Sequence, residues 1–276
     1  MHKGQVPVSR AKRGPFAAVQ RPRQPTQKDC SVLGLGHHNH LWRWKASGKH
    51  PVANDYIDVQ NGTPLTDAVA DWMTKGYVEL QHKGLSTKAA YSWRFWLRAA
   101  KKGALICGLA RDSSDHIGRP FPLLIAGEGP VKNWEERWAL LPALLSKTWG
   151  RIERIAAKRY DDLRGLSDEI GQLGAPENDH DINETEGGER GDALSDDHLN
   201  TYRTDWQRTG RIVIALNNLQ NGADPAETAL QCHRHLWACC PEIPRAVFWG
   251  GTVQQAHLVV FRQPLAIDDF VALWSL

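Results

Sequence analysis

Two apolar runs, Ala104 to Ala110 (ALICGLA) and Phe121 to Ala126 (FPLLIA), are separated by a segment that neither a helix nor a strand can run through: Asp115-His116-Ile117-Gly118-Arg119-Pro120. Proline fixes φ and removes a backbone donor, and Gly118 admits a backbone angle that other residues avoid. The chain must reverse here, and the strand-like runs on either side must meet across the reversal. A third such run precedes Gly103, so the pattern predicts an antiparallel meander over about 91–98, 104–111 and 121–126. The turn also carries an acid and a guanidinium, Asp115 and Arg119. Such a pair can hold a loop or present charge to a partner.

The flanking sequence extends this frame. A strand is expected from Leu41, where Trp42 and Trp44 alternate with Arg43 and Lys45 and so share one face. The loop Gly48-Lys49-His50-Pro51-Val52-Ala53-Asn54-Asp55-Tyr56 follows. Thr63 reads as the N-cap of a helix opened by Pro64, with Leu65, Val69, Trp72 and Met73 at helical spacing. Asn133 reads as the cap of a long helix carrying Trp134, Trp138, Leu141, Leu145, Trp149 and Ile152, with Pro142 as a kink point. Further on, the pattern predicts a strand at 211–216, a helix at 225–237, a hairpin at 246–249 and 257–262, and a closing helix at 267–274. The fold class is therefore α/β, a mainly antiparallel sheet flanked by helices, either as two similar α/β halves or as one extended sheet.

Charge marks the boundaries. Residues 1–28 hold Lys3, Arg10, Lys12, Arg13, Arg21, Arg23 and Lys28 and no acid, whereas eleven acids and the single Arg190 fall in residues 166–197. The net charge of +3 hides this asymmetry. We expect a flexible basic tail over 1–38, an α/β domain over 39–160, an acidic disordered linker over 161–200 and an α/β half over 201–276. The tail lacks interleaved aromatics beyond Phe16, so base stacking on nucleic acid is not expected. No apolar stretch follows the basic start and none approaches a membrane span, so neither a secretory leader nor a transmembrane segment is expected. Five cysteines, Cys30, Cys107, Cys232, Cys239 and Cys240, fit free thiols in a reducing, cytoplasmic setting. Twelve tryptophans imply a core rich in large rings.

Few residues point to chemistry. Cys232, His235 and Cys239 would share a helix face and could hold a metal, and a metal-dependent hydrolase is the alternative they raise. Their spacing matches no finger or ribbon, and thiols on a core face are common. Asp112, Ser113, Ser114, Asp115 and His116 include triad residue types, but neighbours in sequence do not converge as a triad does. There is no P-loop, nucleophile elbow or dinucleotide fingerprint, since Gly34-x-Gly36 leads into histidines rather than a helix. No catalytic residue and no cofactor are expected. Lys49, Asp55, Asp115 and Arg119 remain, as a structural clasp or as a partner surface, and the residues leave both open.

Gly48-Lys49-His50-Pro51, Asn54-Asp55-Tyr56, Tyr91-Ser92-Trp93-Arg94-Phe95 and Asp115-His116-Ile117-Gly118-Arg119-Pro120-Phe121-Pro122-Leu123 resemble, in order and spacing, the TagF/ImpM family of type VI secretion accessory proteins. That family reads Gly-Lys-x-Pro, Gly-Asp-Phe, a Trp-Arg-Phe strand and Asp-Arg-Val-Gly-Arg-x-Phe-Pro-Leu. Here Asn54, Tyr56 and His116 depart from it. The likeness covers about residues 40–158 and resumes at Phe248-Trp249-Gly250-Gly251 and Gln263-Pro264-Leu265. It implies a cytosolic, non-enzymatic regulator that acts by protein–protein contact after translation, restraining assembly through a forkhead-associated scaffold protein. It places partner binding or loop clasping on Lys49, Pro51, Asp55, Trp93, Arg94, Asp115, Gly118 and Arg119.

Overall fold

A computed structural model describes residues 1, 42–85, 90–176, 196–218, 225–240 and 242–276. The basic tail expected over 1–38 lies outside them apart from Met1. Strands β1 (Arg43–Gly48) and β2 (Ile57–Val59) lead to α1 (Pro64–His82). Thr63 caps α1 as expected, its hydroxyl accepting from the Thr66 amide while the Thr66 hydroxyl accepts from the Thr63 amide. Then come β3 (Ser92–Arg98), β4 (Ala104–Arg111), β5 (Leu123–Pro130), α2 (Leu141–Ala157), α3 (Leu163–Gly171), α4 (Asp196–Arg208), β6 (Arg211–Ala215), α5 (Pro225–Cys239), β7 (Ala246–Gly251), β8 (Ala256–Phe261) and α6 (Ile267–Leu273).

All eight strands form one antiparallel sheet in the order β2-β1-β5-β4-β3-β7-β8-β6. The expected meander is β3-β4-β5. Of the two arrangements left open, one extended sheet is the one formed, and β3 pairing with β7 makes the join. The order of elements repeats between the halves, but their helices do not take equivalent sides: α1 and α6 cover one face, and α2, α3, α4 and α5 the other.

With both faces covered, the inner strands bury successive residues, alternately to each side. Trp93, Phe95 and Leu97 of β3 face α1 and α6, whereas Trp96 faces α2 and α5. Trp42 and Trp44 share a face and stack at 5.5 Å. Eleven tryptophans are buried, and Trp237 is the exposed one. Phe270 stacks on Trp274 at 4.1 Å, and the Trp274 indole donates to Asp112 Oδ1 at 2.8 Å, tying α6 to the end of β4. Among the described residues no helix is long and apolar enough to cross a membrane.

Two local expectations are corrected. Asn133 does not cap a long helix. It has a positive φ of 54°, a short 3-10 turn follows at Glu135–Leu140, and α2 starts only at Leu141. Pro142 therefore lies in the first turn of α2, where a missing N–H costs nothing, instead of kinking a helix interior. Nor is 161–200 wholly a linker. Asp162 caps α3 by accepting from the Gly165 amide, Leu166 and Ile170 are fully buried, and Trp44 donates its indole N–H to Gly174 O at 3.0 Å. Residues 196–200 begin α4. The stretch 177–195 lies outside the described residues. Two apolar side chains one turn apart suffice to dock an otherwise polar helix, and charge composition conceals them.

Ile170→Ala should therefore cost about 2–5 kcal/mol, as for a buried aliphatic side chain, where a linker residue would cost nothing. Urea unfolding of the two proteins measures this directly.

Candidate functional site

The residues singled out by the loop motifs meet at one end of β1 and β5. Strand β1 runs so close to Pro122 that a Cβ on Gly48 would lie 2.0 Å from its carbonyl oxygen, and Gly48 takes φ +111°. A side chain is therefore excluded there, and Lys49 leaves the strand pointing under the turn. On the other side Gly118 takes φ +85° at the turn, and its amide donates to Asp115 O at 3.0 Å. The turn is closed by Asp115 N donating to Arg119 O at 3.2 Å, and it is held to the 48–56 loop by His116 N donating to Ala53 O at 2.8 Å.

Inside this frame the Asp115 carboxylate is completely buried and meets two cations. Its Oδ2 lies 3.0 Å from Lys49 Nζ and 2.7 Å from Arg119 Nε, while Oδ1 accepts from the Arg119 amide at 2.9 Å. Burial by itself would raise this carboxyl. The Arg119 amide, the Lys49 ammonium and the Arg119 guanidinium outweigh it and hold the group far below the usual carboxylate range. Lys49 is buried too, its ammonium lying 4.9 Å from the centre of the Tyr56 ring. Arg119 remains about half exposed and reaches across to donate to Asn54 O at 2.6 Å.

Asp55, the other acid of the expected clasp or partner surface, is peripheral. It is largely exposed, sits 3.9 Å from Arg119 Nη2 and accepts from its neighbour's amide, Tyr56 N, at 2.9 Å. Pro51 is exposed in the loop. The residues to which the sequence assigned no role here are aromatic. Tyr56 and Tyr77 each meet Phe121 edge-on, at 4.7 and 4.9 Å, and Tyr77 donates to Pro120 O at 3.3 Å. The signal was present in Phe121 itself, an aromatic between two prolines on a rigid turn.

The Trp93-Arg94 motif is not part of this cluster. Trp93 is core, facing α1 and α6. Arg94, on the opposite face, forms a two-pronged pair with Glu153 of α2, at 2.6 and 2.8 Å, and lies 4.5 Å over the Trp249 ring. With Ser92, Gly250 and Gly251 they line a shallow depression. Arg94 is thus a brace between β3, β7 and α2.

The α5 cluster separates similarly. Cys232 is buried in apolar core, where burial pushes its thiol up to about 12, opposite to what a thiolate ligand needs. His235 is partly exposed, its Nδ1 2.9 Å from Gln231 O, and the Cys239 side chain lies outside the described ones. Among the described residues no three metal-binding side chains gather. The histidine that matters to the fold is His233, buried beside Trp96 and Trp138. Trp96 Nε1 donates to its Nε2 at 3.4 Å, which leaves Nδ1 to donate to Ala229 O at 2.8 Å. Burial holds its pKa at about 4.

Two outcomes follow from these charges. The Asp115 carboxyl titrates lower folded than unfolded, so its stabilisation is complete above about pH 4 and fades as pH falls further. Asp115→Asn should lower the melting temperature by several degrees at pH 7, with the gap to the parent shrinking towards pH 3, and its effect should be non-additive with Arg119→Ala. His233 must be neutral to stay buried, so the folded state binds fewer protons than the unfolded one between pH 6.5 and 4. Acidification through that window should cost the parent roughly 3 kcal/mol that His233→Leu does not lose, as read from urea midpoints against pH.

Comparisons with known proteins bear on the same region. Residues 46–169 match the family model described as the TagF N-terminal domain, type VI secretion system-associated. The match takes in the clasp, the Arg94–Glu153 pair and most of α3. A crystal structure of PA0076 from Pseudomonas aeruginosa PAO1 shares the fold, with a TM-score of 0.50 and 16% identity over 84% of this chain and 94% of that one. No curated protein matches the chain. Over residues 46–169 the chain is thus similar to the TagF N-terminal domain, type VI secretion system-associated.

Proposed function

We propose that the protein is a non-enzymatic cytoplasmic accessory factor of type VI secretion. It works by protein–protein contact, restraining assembly of the secretion machine after translation, with a forkhead-associated scaffold protein as its partner. The observation that carries this reading is what the clasp holds outward. Behind it lie a buried carboxylate and a buried ammonium. In front of it Ile117 is 66% and Tyr56 59% exposed, with Arg119 half exposed between the two loops. Large apolar and aromatic side chains on a turn that cannot relax, beside a guanidinium, have the composition of an interface hot spot. The family model matched over these loops supports the secretion setting.

The loop variant Ile117→Ser should leave the melting temperature nearly unchanged, since exposed substitutions away from structural contacts fall within about ±0.5 kcal/mol. It should nonetheless deregulate export of a secreted effector and abolish co-purification of the scaffold protein. Trp237→Ser, an exposed aromatic on α5 outside the matched segment, is the control and should do neither. Protein levels must be matched, because about 1–2 kcal/mol of destabilisation changes abundance several-fold. Normal export and intact co-purification in the loop variant would overturn the reading.

A further inference from the structure

A second charged feature lies away from the clasp. The register that pairs Leu97 with Ala246 continues one residue further and sets Arg98 beside Arg245, and on the neighbouring strand Arg262 follows Phe261, the partner of Ala246. Arg98 N donates to Arg245 O at 2.9 Å, which continues the β3–β7 ladder, whereas Arg245 N donates to Phe261 O at 2.8 Å, so that Arg245 and Ala246 both oppose Phe261 and a bulge ends the β7–β8 ladder. Three arginines thus stand in a row across adjacent strands at one end of the sheet. With Glu242, Ile243 and Gln263 they line an open depression of about 470 Å³.

One carboxylate answers this row. Glu242 takes Arg262 through two contacts, at 2.9 and 3.3 Å. Arg98 and Arg245 are exposed, and among the described residues neither has an acidic partner. Like charges on directly opposed strand positions destabilise a sheet, so folding does not ask for this arrangement. Three guanidiniums less one carboxylate leave two positive charges facing one depression. Guanidinium forks match the oxygens of a phosphoryl group two at a time, and such a group carries about −1.5 to −2 charges near neutral pH. A single carboxylate would leave one guanidinium unanswered.

We propose that the Arg98–Arg245–Arg262 row is a binding site for a dianionic phosphoryl group. The depression is open enough to admit either a free phosphorylated small molecule or a phosphorylated side chain, and the shared recognition element is the phosphoryl head. Glu242 holds Arg262 in place, while Arg98 and Arg245 supply the free forks. The site is independent of the Lys49–Asp115–Arg119 clasp and of the interface proposed there.

The test uses the full chain at about pH 8, where inorganic phosphate is largely dianionic. Melting temperatures are compared in sodium phosphate, sodium succinate and sodium chloride at equal ionic strength, since a ligand that binds only the folded state raises its stability. Phosphate should raise the melting temperature, and succinate should do so less. Arg98→Gln with Arg245→Gln should weaken phosphate binding by about tenfold or more. The same variant should melt in chloride no lower than the parent, because a like-charge contact is removed. Arg245→Gln alone should give an intermediate response, and Arg211→Gln, on the edge strand β6, an unchanged one. Calorimetric titration with inorganic phosphate and with a phosphoserine peptide separates the sources: whichever binds more tightly is the natural form, and both must depend on Arg98 and Arg245. An equal response of parent and double variant, no response to phosphate or the phosphopeptide, or a response to succinate matching that to phosphate would overturn the proposal.

Discussion

The seam between β3 and β7 is the interaction on which the rest depends. It joins strands far apart in sequence and turns what would be a five-stranded and a three-stranded sheet into one surface. Because helices then cover both faces, β3 has no side to leave polar. That is why Trp93, Phe95, Trp96 and Leu97 run almost without interruption, and why Arg94 requires both Glu153 and the Trp249 ring to sit among them. The Trp96 indole next requires an acceptor, and His233 on α5 supplies it in the neutral form. Arg94 is thus answered from α2 and β7, and Trp96 from α5 in the other half of the chain.

The clasp follows a different logic. A carboxylate taken wholly out of water is costly unless it is paired and hydrogen-bonded. Asp115 meets that demand with the Lys49 ammonium, the Arg119 guanidinium and the Arg119 amide. In return two loops distant in sequence are held to one another, and the exposed side chains of Tyr56 and Ile117 are fixed in relation to each other. Stabilisation and presentation are therefore two sides of the same arrangement, and a residue such as Lys49 belongs to the first while enabling the second.

Features encoded locally were legible in the sequence. The Gly118-Arg119-Pro120 reversal, the Thr63 cap and the antiparallel β3-β4-β5 meander each depend on residues close together in the chain. Features set by distant partners were not. Nothing near Arg119 distinguishes buried Asp115 from exposed Asp55 as its carboxylate, because the difference lies in how β1 passes Pro122. Trp93 and Arg94 read as one motif but point to opposite faces, a separation that acquires meaning only once α1 and α2 are known to lie on opposite sides. Helix α3 was hidden because Leu166 and Ile170 are its two core contacts within an acid-rich stretch. In each case the missing information was the identity of a neighbour supplied from elsewhere in the chain.

The β3–β7 seam also has a consequence for how the chain is made. Strand β3 is complete once Arg98 has been synthesised, but its partner begins only at Ala246. At translation rates of about 5–20 residues per second, that edge waits roughly 7–30 seconds for its mate. During this interval β4 can already pair with it on one side, leaving a long, tryptophan-rich edge open on the other, the sort of template on which nascent chains pair with one another. Arg94 and Arg98 stand on that edge, so that two chains meeting there bring like charges together. The positive charges of β3 thereby guard the unfinished protein on the ribosome before either takes up its place in the finished one.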